Sequence, residues 1–162
     1  MRRPNWMAGA AVVLATVFVP ACSKSPVDKV GTAGASSEAP VPTLPWTHPS
    51  KSEIGKTAGI SFPASVADFR STSVTPSELD VAFTIAAADV AAFDTDSGLG
   101  LTADTRVVGH ASPLWGADVT GTVSGSASER GGYRRAVEVI SDPASPEVAT
   151  VRMAITPAVS KK

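Results

Sequence analysis

Between Leu79 and Ile85 the apolar residues Leu79, Val81, Phe83 and Ile85 alternate with Asp80, Ala82 and Thr84. A period of two sends successive side chains to opposite faces of a strand, so the odd positions are predicted to face a core and the even ones water. Asp68 to Val74 is a less regular strand candidate that would pair with this segment. The intervening Thr75-Pro76-Ser77-Glu78 has the spelling of a capping box, but the alternation downstream favours a turn or one short helical turn. After Ile85 the spacing changes. Ala88, Val90, Ala91 and Phe93 are set around Asp89, Ala92 and Asp94, and Gly98 follows Ser97, which predicts a short helix over about 87–96 with Val90 and Phe93 against the sheet. Two further β-rich runs, Arg134 to Ile140 and Glu147 to Ile155, flank a connection built on Ser141, Asp142, Pro143 and Pro146 and read as an antiparallel hairpin. Residues 99–131 are glycine-rich, with short β segments at 106–108 and 119–123. The expected fold class is α+β: a mostly antiparallel sheet of four to six strands with a short helix packed on one face, preceded by a disordered linker.

The N-terminal pattern is of another kind. Arg2 and Arg3 precede a 13-residue apolar stretch, Met7 to Val19, and then Pro20, Ala21 and Cys22. A basic start, a short apolar run and a small residue form the architecture of a secretory signal. Thirteen residues reach only about 20 Å as a helix, short of the roughly 30 Å of bilayer hydrocarbon, which disfavours a permanent span. Pro4-Asn5-Trp6 after the arginines lacks the apolar pair of the twin-arginine route and favours the general secretory path.

Val19-Pro20-Ala21-Cys22 resembles the lipobox of bacterial lipoproteins, an aliphatic residue, a small residue, Gly or Ala, then Cys. Pro20 departs from it and the other three positions match. The resemblance implies that the Cys22 thiol takes a diacylglyceryl group, that the leader is cut before it, and that further acylation (palmitate) anchors the chain. Each buried methylene contributes about 0.8 kcal/mol, and two chains anchor stably where one does not. The expected location is the cell membrane, lipid-anchored on its extracytoplasmic face. Cys22 is the only cysteine, so the exported domain would have no disulfide to support its core. Ordinary signal cleavage near Ala21, with Cys22 an incidental thiol, is the competing account.

Residues 23 to about 58 are poor in large apolar side chains and rich in Ser, Ala, Gly, Pro and Lys, the composition of a disordered tether. A flexible linker of that length spans about 30–36 Å end to end. The expected organisation is a signal peptide over 1–21, a lipid-anchored disordered linker over 22–58, a small α+β domain over 59–158 and a tail over 159–162. Trp46 within the linker would either present itself as a peptide-like ligand or fold back on the domain, the second being the plainer expectation.

Charge and motifs narrow the chemistry. Removing Arg2 and Arg3 leaves 12 basic against 15 acidic side chains, and no basic stripe points to nucleic acid. Asp94-Thr95-Asp96-Ser97-Gly98 begins like a calcium loop, but Gly98, Leu99 and Thr105 stand where that loop needs an oxygen ligand, glycine and glutamate, so a polar helix end is expected instead. Asp118, Glu129, Asp142 and Glu147 lie in or beside loops and are read as turn-forming or solvated. Of the two imidazoles, His48 falls in the linker, which leaves His110 as the candidate base. GxSxG, HExxH, SxxK and phosphate-loop motifs do not occur, and no spacing supplies a zinc ligand cluster. No catalytic residue, metal site or cofactor is therefore assigned. Trp115, His110, Tyr133 and Arg134 are the candidate binding residues: an indole in a loop near a glycine, which would serve as an anchor or a core lid, the imidazole beside it, and an aromatic with a basic neighbour after Gly131-Gly132.

The run Ile60-Ser-Phe62-Pro63-Ala-Ser65-Val-Ala-Asp68-Phe69-Arg70, then Glu78-Leu79-Asp80, Asp89 to Phe93 and Ser97-Gly98-Leu99, resembles a pattern in small uncharacterised lipoproteins of actinobacteria over about 40 residues. It implies an envelope lipoprotein and carries over no site residues. The expected function is that of a non-catalytic binding or interaction module, bound to the membrane through lipid on Cys22 and facing an envelope protein or cell-wall partner. The rival is a small envelope hydrolase using His110 with a loop carboxylate.

Overall fold

The computed structural model describes residues 42–115 and 120–159. The apolar leader, Cys22 and the tether as far as residue 41 lie outside these residues, as does Asp118. Six strands form one antiparallel sheet: β1 Ala67–Thr75, β2 Glu78–Ala86, β3 Thr102–Ala103, β4 Thr122–Arg130, β5 Tyr133–Ser141 and β6 Val148–Pro157, in the spatial order β1-β2-β6-β5-β4-β3. Two helices, α1 Lys51–Ala58 and α2 Val90–Ser97, complete the α+β fold, with a 3-10 turn at Ala87–Asp89 leading into α2. No helix among the described residues is long and apolar enough to cross a membrane.

Strand register carries the alternation of β2 across the sheet. Leu79 stands opposite Ile155, Val81 opposite Met153, Phe83 opposite Val151 and Ile85 opposite Ala149; Val137 and Val139 of β5 continue the same rows against Met153 and Val151. These side chains join Ile54 and Ala58 of α1, Phe93 of α2 and Leu99 in one buried cluster, so both helices cover the same face. Phe83 is its aromatic hub, meeting Phe62 and Phe93 edge-on at 5.3 and 5.9 Å, geometries that suit the ring quadrupoles. The turn between β1 and β2, the helix ended by Gly98, and the β5–β6 hairpin agree with the reading from sequence.

Four features differ from that reading. The even positions Asp80 and Ala82 of β2 are buried instead of facing water, because further chain lies over that side of the sheet. The linker is corrected over 42–58: Leu44, Ile54 and Ala58 are buried, and Trp46 stacks on Tyr133 at 5.6 Å, so the ordered domain includes Pro42 onward and not only 59–158. Helix α1 forms because Ser50 and Glu53 make a complete capping box and Gly59 ends the helix in the left-handed region. Strand β4 reaches Arg130 where a short segment over 119–123 was expected, and 106–108 is not a strand. Its inward positions Ser124, Ser126 and Ser128 are polar, so β4 carries no apolar alternation. Gly131 and Gly132, both at positive φ, close the β4–β5 turn, the conformation that tight hairpins require and that glycine adopts without steric cost.

One buried cation ties the helices to the sheet. Arg135 of β5 is 1 % exposed, and its guanidinium donates to the carbonyls of Ala58, Gly59, Ser97 and Gly98 and to the Ser128 hydroxyl. Those carbonyls are the unsatisfied ends of α1 and α2, where the helix dipole also favours positive charge. Burial first, and Arg130 second, lower its pKa, but a guanidinium stays protonated.

Candidate functional site

The second face of the sheet is covered by backbone rather than by a helix. Residues 104–115 leave β3 at one edge and cross over the strands, and Gly125 of β4 is required there: an added Cβ would stand 2.3 Å from the Thr105 carbonyl oxygen. Two buried carboxylates from the sheet hold this segment. Glu138 of β5, 2 % exposed, accepts from the Val107 and Val108 amides through Oε1 at 2.8 and 3.0 Å. Asp80 of β2, fully buried, faces His110 Nε2 with both oxygens, at 2.9 and 3.0 Å. Hydrogen bonds to a charged acceptor contribute about 1.5–3 kcal/mol, and their loss inside a protein leaves a group whose burial is costly. Glu138 is also directly opposite Arg152 of β6. Burial holds the Arg152 guanidinium below its usual range, Glu138 acts against that, and Arg106 acts with it.

His110 lies between two carboxylates. Glu78 and Asp80 are two residues apart in β2 and so share a face, and the ring reaches both, with Nδ1 3.6 Å from Glu78 Oε1. One donor atom from each of Glu78, Asp80 and His110 lies within 4.8 Å of the others. No spacing in the sequence announced this trio, because 30 residues separate Asp80 from His110. Sequence spacing supplied no ligand cluster; the fold brings these three residues together.

The four candidate binding residues fall on both faces. Trp115 is 8 % exposed, donates from its indole nitrogen to the His110 carbonyl at 3.4 Å, and meets the His110 ring at 5.7 Å. It packs on the loop-covered face, apart from the apolar cluster beneath the helices. Arg134 is exposed on that face and lines a cavity of about 170 Å³ with Glu78, His110 and Thr156. Tyr133, one residue earlier, points to the helix-covered face and holds Trp46 there. Of the loop carboxylates among the described residues, Asp142 accepts from the Ala144 amide in the β5–β6 turn, and Glu129 and Glu147 are exposed. Asp94 caps the loop after α2, accepting from the Gly100 and Leu101 amides at 2.7 and 3.1 Å, which accounts for it without a calcium ion.

Beyond Trp115 the loop-covered face opens into two adjoining cavities of about 190 and 430 Å³ that share Thr150 and Arg152. Arg70, Thr84 and Trp115 line the smaller, and Ile140, Asp142 and Val148 the larger. Arg70 is brought to the rim after an irregularity of register in β1 between Ala67 and Arg70, where Asp68 takes a positive φ of 51°; bulges of this kind re-aim side chains at strand edges. Comparison with protein families, with curated proteins and with solved structures finds no match for this chain.

Proposed function

We propose that this chain is an exported envelope lipoprotein, held by lipid on Cys22 at the extracytoplasmic face of the cell membrane, whose domain is a non-catalytic binding or interaction module. The order of basic residues, short apolar run, Ala21 and Cys22 supports the anchor. The observation that carries the module reading is the engagement of His110. Nε2 is bonded to the buried Asp80, and Nδ1, 3.6 Å from Glu78, has no hydroxyl or thiol nucleophile bonded to it among the described residues, whereas nucleophilic catalysis needs such a pair. The Ser112 hydroxyl accepts from the Leu114 amide within its own turn and makes no hydrogen bond to the imidazole. The cleft beside Trp115, lined by Asp68, Arg70, Thr84 and Thr150, offers a guanidinium and hydroxyl groups suited to a polar, hydroxyl-bearing envelope partner.

Anchoring is tested in the native host by membrane fractionation and intact mass of the wild-type chain and of Cys22→Ser. Wild type is expected in the membrane fraction with acyl mass on the new N-terminus, and the serine variant in the released fraction. An unmodified thiol, or a serine variant that still sediments with membrane, overturns the anchor. Cross-linking followed by identification of captured partners tests the module, with Arg70→Ala expected to lose the partner; capture unchanged by that substitution removes the cleft from the reading.

A further inference from the structure

We infer that Glu78, Asp80 and His110 form a binding site for one divalent first-row transition metal ion, with zinc as the best fit. Charge is the first argument. Asp80 is fully buried, Glu78 and His110 are 28 % and 31 % exposed at the side chain, and the imidazole pairs with both carboxylates. Two carboxylates facing one imidazole concentrate acceptor oxygens around a single point, which a divalent cation offsets.

Geometry is the second argument. Arms of about 2.0–2.2 Å place the donors of a tetrahedral zinc site about 3.3–3.6 Å apart. His110 Nε2 stands 2.9 and 3.0 Å from the Asp80 oxygens and Nδ1 3.6 Å from Glu78, and one donor atom from each of the three residues lies within 4.8 Å of the others. One ring nitrogen and one oxygen from each carboxylate close on an ion by side-chain rotation, with the direct imidazole–Asp80 hydrogen bond giving way. The cavity of about 170 Å³ bounded by Glu78, His110 and Thr156 leaves room for water as the remaining ligand. Arg134 lines the same cavity, but from the exposed rim, where solvent screens its charge.

Donor chemistry selects the ion. One imidazole with two carboxylates suits zinc and its first-row neighbours; calcium wants six to eight oxygens, and magnesium retains most of its water. The site would fasten residues 104–115 to β2, since His110 comes from that loop and both carboxylates come from the sheet. This inference is independent of the lipid on Cys22 and of Arg70, and the ion would take the place of the direct His110–Asp80 contact described above.

The test is metal uptake by the full chain, purified in detergent, stripped with a chelator and dialysed against Zn²⁺ or Mg²⁺. One Zn²⁺ per chain is expected, without Mg²⁺ uptake at the same concentration, together with a rise in Tm on adding Zn²⁺. His110→Gln and Asp80→Asn are expected to weaken zinc by about 100-fold or more, at or above the upper end of losses seen when only supporting groups are removed. Glu78→Gln, at the half-exposed start of β2, keeps the fold and should weaken zinc at least about 10-fold, which preserves the test if a buried substitution fails to fold. His48→Gln should bind as wild type. Absence of zinc uptake, or equal uptake by wild type and both Glu78→Gln and His110→Gln, overturns the site. Co²⁺ supplies a separate readout: a visible absorption band in the wild type that the same variants lose.

Discussion

The two faces of the sheet are built from the same strands and held by opposite means. On the helix-covered face most odd positions of β2, β5 and β6 are Leu, Val, Phe, Ile, Met or Ala, with Arg135 the buried exception at the helix ends, and two short helices close over them. On the loop-covered face the neighbouring positions are Asp80, Ala82, Ala136, Glu138, Arg152 and Ala154, and irregular backbone lies on top. Apolar burial is non-directional and tolerates any cover of the right shape. A loop carries backbone amides that must find acceptors once water is excluded, and the buried carboxylates supply them. A sheet can therefore be mainly apolar on one side and carry buried carboxylates on the other, with buried charge on either side placed where backbone groups of the cover need a partner, as Arg135 is at the helix ends.

Substitutions separate the two faces, beginning with the largest effect. Phe83→Ala removes the ring at the centre of the helix-covered core and is expected to cost about 3–5 kcal/mol; denaturant unfolding with amide exchange should show both faces lost together. Glu138→Gln removes the charge that holds the Val107 and Val108 amides and is expected to cost about 1.5–3 kcal/mol. Exchange should accelerate at those two amides while the β2 and β6 ladder stays protected. If the whole sheet loosens equally, the loop is integral to the core and the comparison fails.

Gly125→Ala drives a Cβ into the Thr105 carbonyl and is expected to cost about 1–3 kcal/mol, again with faster exchange confined to residues 104–115. Ser50→Ala, which removes the cap of α1, is expected to cost about 1 kcal/mol, read as a small fall in Tm. The same capping box sets a pH dependence. The Ser50 backbone amide, then its hydroxyl, hold the Glu53 carboxyl below the ordinary carboxylate range. The folded chain therefore binds this proton less readily than the unfolded one. The contribution is complete above the ordinary carboxylate value and is lost as pH falls through the lowered one. Glu53→Gln should remove that acid-side loss from a plot of Tm against pH and leave the neutral arm level.

Legibility followed the same division. The alternation of Leu79 to Ile85, the glycine-ended helix after it and the C-terminal hairpin were readable because each buries large apolar side chains at a fixed period. Helix α1 offers only Ile54 and Ala58 to the core, too few for a periodic signal, although Ser50, Glu53 and Gly59 spelled its two ends. β4 was obscured by inward serines, two of which serve polar partners: Ser126 donates to the Leu99 carbonyl, and Ser128 accepts from Arg135. Trp46, read within a linker, folds back because Tyr133 offers it a ring and Ser73 donates a hydroxyl to its carbonyl and that of Thr47.

By itself the sequence determined the α+β class, the core face of the central strand and the turns around it, since these follow from local periodicity and from residues that fix their own backbone. The meeting of Glu78 and Asp80 with His110, the clamp of Glu138 on a distant loop and the place of Arg135 at two helix ends were decided only by tertiary structure. Each joins groups far apart in the chain whose charges are stable inside the protein only when a partner arrives from another element. Nothing in the spacing of one strand records which loop will cross it.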